Sequence, residues 1–95
     1  MNGEKVLDYI KSEFDQNIVS YIVLSEGFHG PYWEINIEAN HYTIKISGDI
    51  GFSIVVSRGD ESIDLWRLDR SLVGKESTTQ ENLKIQLNSL FELIT

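Results

Sequence analysis

The stretch Tyr32–Leu68 reads YWEINIEANHYTIKISGDIGFSIVVSRGDESIDLWRL. Trp33, Ile35 and Ile37 alternate with Tyr32, Glu34, Asn36 and Glu38, and Tyr42, Ile44 and Ile46 alternate with Thr43, Lys45 and Ser47. Phe52, Ile54 and Val56 continue the pattern, followed by Ile63 and Leu65. Side chains of a strand point to opposite faces in turn, so this period of two predicts a sheet with one apolar and one polar face.

Turn chemistry divides the stretch into strands. Asn40-His41 fits a two-residue hairpin, although the glycine usual at its second position is missing. Pairing Ala39 with Tyr42 sets Ile37 opposite Ile44 and Ile35 opposite Ile46, while Glu38 meets Thr43 and Asn36 meets Lys45. Apolar then faces apolar and polar faces polar, which a one-residue slip would destroy. Residues 48–51 form the next turn, and Gly59-Asp60 the one after. Closing there sets Val56 opposite Ile63, Ile54 opposite Leu65, Val55 opposite Asp64 and Ser53 opposite Trp66. Short-looped consecutive strands make an antiparallel meander.

Upstream, Val6, Tyr9, Ile10 and Phe14 recur at helical spacing, with Asp8, Lys11, Ser12 and Asp15 on the opposite face. The spacing predicts a helix over 3–16, capped by Asn2. The run from Ile18 to Leu24 is apolar and β-branched, as in a strand covered on both faces or central in a sheet. Residues 26–31, with two glycines and the chain's one proline, read as a loop. Downstream, residues 69–77 have no period and read as a connection. Thr78-Thr79-Gln80-Glu81 has capping-box spacing, and Leu83, Leu87, Leu90, Phe91 and Ile94 follow at helical intervals, with Ile85 off the stripe. The order is α-β-β-β-β-β-α. Each helix has one apolar stripe and the sheet one apolar face, so both helices are expected on that face of a two-layer α+β domain spanning residues 1–95.

A chain of 95 residues, 41% hydrophobic, fits one globular domain. Fifteen acidic against eight basic residues give a formal charge of −7. Such a surface repels nucleic-acid backbones and anionic membranes and attracts basic proteins. The absence of cysteine excludes disulfides, thiolate catalysis and cysteine metal sites. With no apolar segment of signal-peptide or membrane-spanning length, a cytoplasmic setting is expected.

No catalytic constellation emerges. His29 and His41 stand in separate expected turns, without further ligands at metal-binding spacing. The serines have no base beside them. Glu34 and Glu38 share a face, but their Cα atoms are ~13 Å apart at strand rise, too far for a shared proton. The expectation is a non-enzymatic protein without metal or cofactor.

The polar sheet face is the candidate surface, and Tyr32, Glu34, Asn36, Glu38, Asp64 and Trp66 are its candidate contacts. Exposed Tyr and Trp among carboxylates resemble binding hot spots in composition. The functional expectation is an acidic interaction module, in its most specific form a bacterial antidote or immunity protein that neutralises a basic toxin such as a nuclease. Two alternatives use the same chain differently. A small-ligand pocket would have Phe28, His29, Tyr32 and Trp33 at its mouth. A structural homodimer would form through the open face or a sheet edge.

Overall fold

A computed structural model describes residues 3–18 and 20–95. Helix α1 spans Gly3–Asn17 and is followed by strands β1 (Ile22–His29), β2 (Tyr32–Ala39), β3 (Tyr42–Gly48), β4 (Phe52–Arg58) and β5 (Glu61–Asp64). A one-turn helix α2 (Leu65–Leu68) and a 3-10 turn (Arg70–Leu72) lead to helix α3, Gln80–Ile94. The sheet is antiparallel with order β1-β2-β3-β4-β5, a meander.

Registers across the central hairpins follow the alternation. Ile35 pairs with Ile46, Ile37 with Ile44 and Ala39 with Tyr42. Val56 faces Ile63, and Val55 faces Asp64. Asn40 and His41 both adopt positive φ, 50° and 71°, so the hairpin turns through the left-handed region without a glycine. The Asn40 side-chain amide donates to the Ile94 carbonyl, tying this turn to the end of α3.

The apolar face carries the core. Trp33, Ile35, Ile37, Ile44, Ile46, Ile54 and Leu65 are buried against Val6, Ile10 and Phe14 of α1 and Leu83, Leu87, Leu90 and Phe91 of α3. Phe14 and Phe91 meet edge to face, with ring centroids 5.1 Å apart, joining the two helices directly. Glu13 of α1 is buried too, its carboxylate 3.7 Å from Lys84 of α3. At the sheet end, the Trp33 ring covers its cross-strand partner Gly48, where an added Cβ would lie 2.5 Å from the ring. Glycine is required there by space.

Several local expectations need correction. The strand placed over Ile18–Leu24 starts at Ile22 and runs to His29, and it lies at the sheet edge. Ile22 is 59% exposed and Leu24 51% exposed, not covered on both faces. A bulge between Val23 and Ser25 interrupts its ladder. Residues 26–29 belong to this strand, and Gly30-Pro31 alone make the turn, with Gly30 at φ 58°. The β5 ladder ends at Asp64, because Leu65 begins α2, so neither Leu65 nor Trp66 pairs with β4. Ile63 lies on the inner side but is 37% exposed, since β5 is the outermost strand. The α3 cap is Thr79, whose hydroxyl accepts from the Asn82 amide, so Glu81 does not close a box with Thr78. The expected Asn2 cap lies outside the described residues.

Candidate functional site

Both long helices pack on the apolar side, which leaves the other sheet face uncovered. Strand pairing orders its side chains into rows. One row crosses all five strands as Ser25, Asn36, Lys45, Val55 and Asp64. A second runs through Ile22, Glu38, Thr43, Ser57 and Ser62, and a third through Gly27, Glu34, Ser47 and Ser53. Short hydroxyl side chains dominate β3 to β5, so the long side chains of β2 stand above them.

Within the rows the polar groups are cross-linked. The Tyr32 hydroxyl donates to Glu34 Oε2 at 3.0 Å, and Lys45 Nζ lies 3.4 Å from the same oxygen. The hydrogen bond to Glu34 raises the Tyr32 phenol above its ordinary value, with desolvation adding to it. Asn36 Nδ2 donates to Ser25 Oγ at 3.0 Å, and the Ser57 and Ser62 hydroxyls are 2.7 Å apart. Asp64 Oδ2 is 3.9 Å from Arg67 Nε. Three carboxylates, on Glu34, Glu38 and Asp64, stand against two cations, Lys45 on the face and Arg67 at its margin, so the charge is negative.

Five of the six expected contacts therefore lie on one surface: Tyr32, Glu34, Asn36, Glu38 and Asp64. Trp66 does not. Alternation cannot register a switch from strand to helix, and the chain turns into α2 one residue before it. The residue is 41% exposed, and its ring stacks with the guanidinium groups of Arg67 at 5.2 Å and Arg70 at 5.5 Å.

The expected pocket at Phe28, His29, Tyr32 and Trp33 is not formed. Register puts Phe28 and Trp33 on the inner side and His29 and Tyr32 on the outer side. Trp33 is buried against Phe52, with ring centroids 5.9 Å apart, and Phe28 lies over Gly3. The four side chains point away from a common space.

A cleft of about 320 Å³ lies elsewhere, between β4 and the connection that contains Trp66. It exists because β5 stops at Asp64 and leaves the first residues of β4, paired with β3 on one side, without a strand neighbour on the other. The connection returns to that edge only at Glu76, whose carbonyl accepts from the Phe52 amide at 2.7 Å, and at Ser77, which bridges to Gly51. The sequence held one signal for it: Leu72 and Val73 are apolar residues in the aperiodic segment 69–77.

Among the described residues no group of three or more His, Cys, Asp or Glu could hold a metal ion. No helix among them is long and apolar enough to cross a membrane. Comparison with protein families, curated proteins and solved structures finds no match. What the fold and surface define is a two-layer α+β domain with an open, acidic sheet face.

Proposed function

We propose that this chain is a non-catalytic interaction module that binds a basic protein through its open sheet face. In the most specific form it is an antidote that neutralises a basic toxin domain, such as a nuclease. One observation carries the reading: a five-stranded polar face, uncovered by either long helix, bears the carboxylates of Glu34, Glu38 and Asp64, with Lys45 beside Glu34 and Arg67 beside Asp64. Complementary charge would steer such a partner in and set its register. The Tyr32–Glu34–Lys45 cluster holds its side chains in place, which lowers the ordering cost of binding.

The test is capture of a partner from the native cell with the immobilised chain, followed by kinetic binding measurements. The captured protein should be basic, and association should slow as salt rises, because screening limits exposed charges to ~8 Å at physiological ionic strength. The triple change Glu34→Lys, Glu38→Lys, Asp64→Lys should abolish binding. An acidic partner, or binding indifferent to salt and to the triple change, would sink the reading.

A second reading, a homodimer through the β1 edge, is favoured by the exposed Ile22 and Leu24 on that edge strand. Sedimentation of the purified chain over a concentration series checks it, and a monomer throughout would discard it.

A further inference from the structure

The cleft beside Trp66 is a built cavity, away from the Tyr32–Glu34–Lys45 cluster of the open sheet face. Phe52, Ile54, Leu65, Leu72 and Val73 give it apolar walls, and Trp66 stands at its margin. Its volume of about 320 Å³ equals about ten waters, and apolar walls of this kind favour a ring over those waters.

The polar groups lining the cleft point to a chemistry. Gln86 of α3 is 6% exposed, and its Nε2 donates to the Lys75 carbonyl at 2.7 Å. That bond fixes the amide orientation and leaves Oε1 as an acceptor. Glu76 and Ser53 also line the cleft. The Gln86 acceptor calls for a ligand with an N–H or O–H donor. Arg67 and Arg70, stacked on the Trp66 ring, bring two positive charges to the margin and disfavour a cation there.

The frame is held from several directions. Asp69 accepts from Ser89 of α3 at 2.7 Å, Gln86 grips Lys75, and Glu76 grips Phe52. A cavity fixed in this way loses little freedom when it is filled.

We infer that this cleft binds a small neutral aromatic molecule whose ring carries one N–H or O–H donor, the donor meeting Gln86 Oε1. Indole is the probe, with 1-methylindole as its partner lacking the donor. N-acetyltryptophanamide presents the same ring on a peptide backbone and separates a free molecule from a protein's tryptophan side chain.

Binding is read by 15N–1H correlation NMR of the whole chain. Millimolar indole should shift the Gln86 side-chain amide and the backbone amides of Ser53, Ile54 and Val73 saturably. Replacing indole by 1-methylindole should weaken binding about fivefold, the value of one hydrogen bond of ~1 kcal/mol. Gln86→Leu should erase that difference. Val73→Phe, at an exposed position on the cleft, should weaken both probes while leaving the fold intact, and it carries the test if the Gln86 variant fails to fold. Equal affinity for indole and 1-methylindole in the unaltered chain would overturn the inference, as would shifts outside the cleft or no saturable shift. Tighter binding of N-acetyltryptophanamide than of indole would overturn the small-molecule assignment.

Discussion

Asp69 receives a hydrogen bond from Ser89 Oγ at 2.7 Å on one carboxylate oxygen, and on the other it receives the backbone N–H and hydroxyl of Ser71. One side chain thus shapes the 3-10 turn and fastens it to α3. The donors hold the Asp69 carboxyl below its ordinary 3.8, the Ser71 hydroxyl first among them and then that of Ser89. A lowered carboxylate pKa contributes stability above the ordinary value that is lost as pH falls through the folded one. Asp69→Asn is expected to lower the urea midpoint at neutral pH and to flatten its decline below about pH 4. Urea titrations of both proteins from neutral to acidic pH check this, and parallel curves would contradict it.

The two phenols at the helix margins give the opposite end of the pH scale. Tyr9 is pushed up to about 12, first by burial and then by Glu13, and Tyr21 to about 12, first by its hydrogen bond to Asp15 and then by burial. Both favour the protonated form in the folded state, so their contribution is complete below pH 10 and is lost as pH rises towards 12. Absorbance at the phenolate band should show Tyr9 and Tyr21 ionising late. Tyr9→Phe should also cost little at neutral pH, because the enclosed hydroxyl has no partner in good geometry.

Gly48 and Trp33 should be energetically coupled. Gly48→Ala drives a methyl into the indole ring and is expected to cost about 1–3 kcal/mol. In a Trp33→Leu background the same change should cost much less. A double-mutant cycle by denaturant unfolding measures the difference, and additive costs would show that the ring has room to move.

Leu87 is fully buried in the centre of α3. Leu87→Ala is expected to cost about 2–5 kcal/mol, read from the urea midpoint. His41→Gly works in the other direction. A side chain at φ 71° is strained, and glycine there should raise stability by about 0.5–1 kcal/mol after its own entropy cost.

The alternation made β2 to β4 legible residue by residue, because burial on one face leaves no freedom of register. It failed where another physical effect took over. Ile22 and Leu24 look like interior strand residues, yet β propensity does not tell an edge from a centre. Gly27 punctuates as a loop residue would, yet a glycine fits an edge strand at little cost. Asp64-Leu65 conceals a change from period two to a helical turn too short to show a period of its own. The acidic face could be read because it is the complement of the core pattern. The cleft could not, because it depends on where β5 stops and on the contact of Glu76 with Phe52, a pairing 24 residues apart that no local pattern encodes.

Strand order in this sheet equals sequence order. Every ladder therefore closes over a short loop, and the chain loses little entropy in making each one. The hairpins of β2, β3 and β4 can form early and independently of the ends of the chain. Only the joining of α1 to α3, where Phe14 meets Phe91, closes most of the chain at once. Destabilising substitutions at that helix contact are thus expected to speed unfolding, while destabilising ones at the Asn40-His41 turn slow folding.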